Sequence, residues 1–203
     1  EPWKVPDMSV YQPFPVSFAE GRAPAPDNDQ VLPYERNGDL ARPWIKPGTP
    51  GLEHRIGGIE ENPGTGNIDY SPEAHAEMTR LRAAKVNGIA DSISDQDVCL
   101  GNDSGKLVVV GWGSTFGPIH QAVRRARMRG QDVSHIHIRY IAPFPKNLGE
   151  LLRGYERIIV PEMNSGQLKT LLPAQFLVDA RPLNKVSGQP FTIAEIEAAI
   201  EEA

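Results

Sequence analysis

The rhythm of apolar and polar positions changes about halfway along the chain. KLVVVGW (106–112) is a run of β-branched residues closed by glycine, and PIHQAVRRARMRG after it spaces Ile119, Ala122, Val123, Ala126 and Met128 mainly along one helical face. VSHIHIRYI (133–141), RIIVPE (157–162) and RPLNKV (181–186) read as further strands, separated by a weak helix within 146–155 and by a helix from Gly166 to Leu177. TIAEIEAAIEEA closes the chain, with Thr192 and Glu195 placed as a capping box. Strands alternating with helices at this spacing predict an α/β fold, a mostly parallel sheet with flanking helices on both faces.

Upstream the pattern differs. Ser71 as cap, Pro72 at the first helical position and Glu73 in the first turn start a helix that runs to about Ala90, with Met78 and Leu81, and Val86 and Ile89 beyond them, on its apolar side. SDQDVCLGNDSG after it reads as a loop. Eleven of the 19 prolines lie before residue 64, where fixed φ and missing amide donors oppose helices and central strands. Yet Trp3, Tyr11, Phe14, Phe18, Tyr34 and Trp44 make this stretch too aromatic for a solvated linker. It is expected to lie along a surface, of a partner subunit or neighbouring domain in preference to its own second half. The organisation expected is a proline-rich arm over 1–69, a helix and connecting loop over 70–104, and an α/β domain over 105–203.

Charge and cysteine content narrow the chemistry. A net charge of -5 gives no electrostatic footprint for nucleic acid. No apolar run reaches the roughly 18 to 20 residues that cross a bilayer, and EPWKVPDMSV has no secretory order, so no membrane and a cytoplasmic location are expected. The single Cys99 closes no disulfide within the chain and holds no iron–sulfur cluster, which takes about four thiolates.

Two glycine-bearing junctions are the candidate sites. GWGSTFG (111–117) leaves a strand and enters a helix, so amides at Gly113, Ser114 and Thr115 are placed to meet an anion at the positive end of the dipole. Phe116 stands where the third glycine of a dinucleotide fingerprint belongs, and Asp132 precedes the next strand instead of ending it. A structural turn is favoured, with a phosphate or carboxylate contact and a nicotinamide or flavin site as the other readings. EMNSGQLKTLL (162–172) has the same form: Asn164 or Ser165 caps a helix, or Asn164 and Gln167 face a subunit boundary. His135 and His137 share a strand face, a geometry open to a metal, but packing is favoured and no metal site is expected. Glu53 and His54 suit a tight bend, and Arg124, Arg125, Arg127 and Arg129 a solvated helix face. No nucleophile, base and orienting acid stand at a catalytic spacing.

Taken together, EPWKVPD, GLEH, PEAHAEMTRLRAAKV, VVVGWGSTFGPIHQAV, IRYIAPFP and VPEMNSGQL resemble the carboxyl-terminal portion of the alpha subunit of 2-oxoacid:ferredoxin oxidoreductases, most of all the 2-oxoglutarate branch. Pro161 before Glu162 departs from the pattern. The resemblance implies a transketolase carboxyl-terminal-like domain behind its arm, serving assembly, with no catalytic residue of its own. It implies thiamine diphosphate, magnesium and an iron–sulfur cluster held mainly by other domains or by a beta subunit, with coenzyme A and ferredoxin reached through a hetero-oligomer. The domain that presses a glutamate on the cofactor is expected to precede Glu1, making this chain a fragment, cleavage product or ordered remainder, inactive alone. Two readings of other classes stand beside it: a non-catalytic interaction module, and an independent nucleotide-binding enzyme using 111–117.

Overall fold

Runs of β-branched residues bury both faces of a strand, and here they build the middle of a sheet. The computed structural model describes residues 7–11, 15–19 and 32–203. Trp3 and Phe14 of the aromatic series, and most of EPWKVPD, lie outside them. The chain divides into one unit ending at Ile89 and another from Ala90 to Ala203.

The second unit contains β1 (Val98–Leu100), β2 (Gly105–Trp112), α2 (Phe116–Met128), β3 (Val133–Ile138), α3 (Leu148–Arg153), β4 (Tyr155–Glu162), α4 (Gln167–Phe176), β5 (Ala180–Asn184) and α5 (Ile193–Glu201), where α1 is the helix of the first unit described below. The spatial order is β1-β3-β2-β4-β5. β3, β2, β4 and β5 are parallel, and β1 pairs antiparallel with β3. This is the expected mostly parallel α/β sheet. Alternate residues of β2 go to opposite faces: Val108 and Val110 join Leu148, Leu152, Leu168 and Leu172 of α3 and α4, whereas Leu107 and Val109 join Ile119 and Val123 of α2 and Ile196 and Ile200 of α5. Each fully buried large aliphatic is worth about 1.5–3 kcal/mol, so the two apolar layers hold the helices on.

Several local expectations shift. SDQDVCLGNDSG contains β1, a three-residue edge strand too short to show a period. β3 ends at Ile138, three residues early, before the cis Ala142–Pro143 peptide. α2 starts at Phe116, ahead of Pro118, and Met128 at its end is 79% exposed, outside the buried stripe of Ile119, Ala122, Val123 and Ala126. The arginines on α2 are not simply solvated: Arg129 and Arg125 pair with Glu197 of α5 at 2.9 and 3.5 Å, and Arg127 donates to the Val133 carbonyl. Pro161 lies beyond Ile159, the last β4 residue beside β2, so its missing amide removes no bond to β2. β5, at the other edge, carries exposed Arg181 and Pro182. The capping box forms as the sequence predicts, and Lys185 first, then the Thr192 amide, holds the Glu195 carboxyl down to about 2.

At Gly111, β2 runs close against the start of α2. A Cβ there would lie 2.5 Å from Ile119 Cδ1 and 2.8 Å from Thr115 Oγ1. Gly111→Ala is therefore expected to destabilise the chain by about 1–3 kcal/mol in urea unfolding, with an unchanged m-value.

The first unit has little regular structure before α1 (Pro72–Gly88), as its prolines dictate. Ser71 Oγ accepts from the Ala74 amide, and Met78 and Leu81 pack with Tyr34, which is 3% exposed. Val86 and Ile89 are exposed, so the apolar side of α1 is shorter than expected. Phe18 and Trp44 meet edge to face at 6.1 Å, and both are exposed, like Tyr11. His54 Nδ1 lies 2.8 Å from the Leu52 carbonyl oxygen, but residues 53 and 54 form no bend: the nearest turn ends at Gly51 and the next bend covers 57–59.

Candidate functional site

In an open parallel sheet the carboxyl ends of the strands form the functional edge, most of all where successive connections leave in opposite directions. Here that point lies between β2 and β4. The GWGST and MNSGQ junctions meet there. Trp112 Nε1 donates to Glu162 Oε1 at 3.2 Å, and Ser114 Oγ sits 3.8 Å from Met163 Sδ.

Glu162 dominates the place, and the sequence reading passed over it. Its side chain is fully buried. Oε1 accepts from the Leu168 amide at 2.7 Å, from Trp112 Nε1 and from Asn164 Nδ2 at 3.2 Å, and Oε2 accepts from the Lys169 amide at 3.0 Å. Asn164 Oδ1 takes the next two donors, the amides of Gly166 and Gln167, at 2.8 and 2.9 Å. The four orphan amides that open α4 are thus satisfied within the chain, and the negative charge sits at the positive end of the helix dipole. Gly166 makes the approach possible, with φ +99° and no room toward Asn184 for a Cβ without crowding at 3.2 Å. The signal available in the sequence was an acidic residue two places before an Asx cap at a strand end.

At the other junction Gly113, Ser114 and Thr115 form a 3-10 turn leading into α2. Thr115 is buried and its hydroxyl is engaged, donating to the Trp112 carbonyl at 2.8 Å and accepting the Trp112 amide at 3.1 Å. Gly113 and Ser114 instead open onto a cleft of about 750 Å³ walled by Trp112, Phe116, Ile138 and Arg139, with Cys99 and His137 at its side. Among the described residues Arg139 makes no ion pair. Burial pushes the Cys99 thiol up, which leaves it protonated at neutral pH and a poor nucleophile. Gln167 is exposed at the start of α4.

His135 and His137 do share a face of β3, and His120 from α2 joins them. His120 stacks on Phe116 with centroids 5.2 Å apart, and Phe116 touches both strand histidines. Burial first, then His137 and His120, pushes His135 down to about 3, so the imidazole is neutral. Its Nε2 is buried without a hydrogen-bond partner among the described residues, and no group of three or more His, Cys, Asp or Glu there is arranged to hold a metal. With one cysteine in the chain, the donor set does not fit an iron–sulfur cluster. No helix among the described residues is long and apolar enough to cross a membrane.

Residues 105–196 match the pyruvate:ferredoxin oxidoreductase core domain II. Over its whole length the chain is 45% identical to the 2-oxoglutarate oxidoreductase subunit KorA of Mycobacterium tuberculosis, covering 30% of that protein. The chain is thus similar to proteins of the 2-oxoacid:ferredoxin oxidoreductase family. Subunit alpha of the 2-oxoacid:ferredoxin oxidoreductase 1 of Aeropyrum pernix is 32% identical over 68% of the chain and 22% of that subunit. A solved 2-oxoglutarate:ferredoxin oxidoreductase from Magnetococcus marinus, with 2-oxoglutarate, coenzyme A and succinyl-CoA bound, superposes with a TM-score of 0.79 at 28% identity, over 89% of this chain and 32% of that one. The chain thus spans about a third or less of the length of these three relatives.

Proposed function

We propose that the chain serves as part of the alpha subunit of a 2-oxoglutarate:ferredoxin oxidoreductase. The complex would convert 2-oxoglutarate, coenzyme A and oxidised ferredoxin into succinyl-CoA, carbon dioxide and reduced ferredoxin, in the cytoplasm. Identity of 45% along the entire chain to a 2-oxoglutarate oxidoreductase subunit carries this reading. Thiamine diphosphate with magnesium would supply the carbon chemistry and an iron–sulfur cluster the electron path, all held by other domains or a beta subunit. This portion would serve assembly, and alone would turn nothing over.

The carboxyl edge supports that division of labour. The crevice at which an open sheet would take a ligand is filled by Glu162 and Trp112, so the side chains left to a neighbour are those around it. Gly113 and Ser114 would set the floor of a docking cleft, with Thr115 holding their turn from beneath, and Asn164 and Gln167 would meet the neighbour at the adjoining junction. Arg139, at the cleft wall, would meet an acidic group of the beta subunit.

The test combines the complete alpha subunit with its cysteine-bearing partner and follows coenzyme A-dependent ferredoxin reduction. Activity with 2-oxoglutarate above other 2-oxoacids is expected. No reduction with any 2-oxoacid, or turnover by the 203-residue chain alone, would count decisively against the reading. Arg139→Glu should weaken co-sedimentation of the subunits by about tenfold, as expected for reversal of one interfacial charge.

A further inference from the structure

Four cations converge on one small cavity of the first unit. Arg82 and Lys85 lie three residues apart on α1 and so share a face. With Arg36 and Arg42 from the loop before it they line a cavity of about 290 Å³, walled also by Tyr34 and Glu61. The guanidiniums are held in place. Arg36 donates to the Tyr34 carbonyl at 3.1 Å and rests 3.6 Å from Met78 Sδ, and Arg42 lies over the Tyr34 ring at 4.2 Å from its centroid. Arg82 is shared with Glu60, at 3.1 Å. Among the described residues no carboxylate pairs with Arg36, Arg42 or Lys85. Burial lowers the Arg36 guanidinium, and the like charges of Arg42 and Arg82 push the same way. Such a group of positioned, mutually repelling cations is stabilised by an anion placed among them.

Glu61 says which anion. It lines the same cavity beside the Tyr34 hydroxyl, which donates to the Arg55 carbonyl at 3.2 Å, and its Oε1 is buried without a hydrogen-bond partner among the described residues. A carboxylate is acceptor only, so it asks for a ligand atom bearing a proton. We infer that this cavity binds monohydrogen phosphate: three acceptor oxygens face Arg36, Arg42 and Lys85, and the one P–O–H donates to Glu61. Sulfate has the same shape and charge but no proton, and meets Glu61 with repulsion.

Calorimetric titration of the 203-residue chain with inorganic phosphate, then with sulfate, decides the matter in a dilute chloride buffer of slightly alkaline pH. Saturable phosphate binding is expected, with sulfate at least about tenfold weaker. Arg42→Gln with Lys85→Gln should weaken phosphate by about tenfold or more. Lys85→Gln alone, on an exposed helix position, gives the same direction without touching the Tyr34 packing. Glu61→Gln, whose amide can donate, should bring sulfate level with phosphate. Absence of saturable phosphate binding, equal affinity for sulfate in the unaltered chain, or unchanged affinity in both lysine variants would overturn the assignment. None of these outcomes depends on the oxidoreductase activity.

Discussion

Glu162→Ala is expected to remove roughly 3–5 kcal/mol of stability, the largest loss for any single side chain in the second unit. The magnitude follows from what the carboxylate holds. Two amides of α4, the Trp112 indole and the Asn164 amide all donate to it inside the protein, and alanine leaves these donors without an acceptor. Glu162→Gln keeps the shape but turns one acceptor oxygen into a donor facing other donors, and drops the charge that complements the helix dipole. About 2 kcal/mol is expected there. Urea unfolding followed by tryptophan fluorescence reads both, since Trp112 is itself a ligand of the carboxylate. A loss within about 0.5 kcal/mol for the alanine variant, the range of an ordinary surface change, would show that the carboxylate does not organise this edge.

The second large effect is a loss of stability in acid. His135 is neutral in the folded chain because its site excludes charge, and its value is lowered from 6.5 to about 3. The unfolded chain therefore takes up a proton first. Stability is fully present above about 6.5, falls as the pH drops from there toward 3, and levels off below, with each unit worth about 1.4 kcal/mol. A fully developed loss of a few kcal/mol follows. The groups facing His135 are His120 and His137, and both act on it in the same direction as its burial. His135→Leu keeps an apolar side chain of similar size against Phe116 and should flatten the profile between those limits. Equal slopes for the two proteins over this range would refute the account.

Much of the second unit was legible because its signals are local. The β-branched runs, the stripe on α2 and the Thr192–Glu195 box each lie within a single element, and each appears in the structure, the stripe without Met128. What escaped was set by tertiary position. β1 exists because β3 offers it an edge, not because three residues carry a pattern. His120 is one histidine on a helix until α2 packs on β3 and places it against His135. Glu162 reads as the polar end of an apolar strand, and only the return of α4 over that end makes it a buried acceptor. At the candidate site the glycines and the Asn164 cap could be named from sequence, whereas the carboxylate that fills the crevice between them could not. In the first unit the prolines foretold irregular chain, but the arginine cavity depends on which turns of that chain come back over α1.

The two margins of the sheet also limit how this protein can be joined to others. On one side β1 offers only three residues, and on the other β5 presents Arg181 and Pro182, a cation and a residue without an amide hydrogen. Neither margin is a template for an added strand. A neighbouring polypeptide is therefore expected to adhere by side-chain fit to helices, loops and the strand tips, without lengthening the sheet.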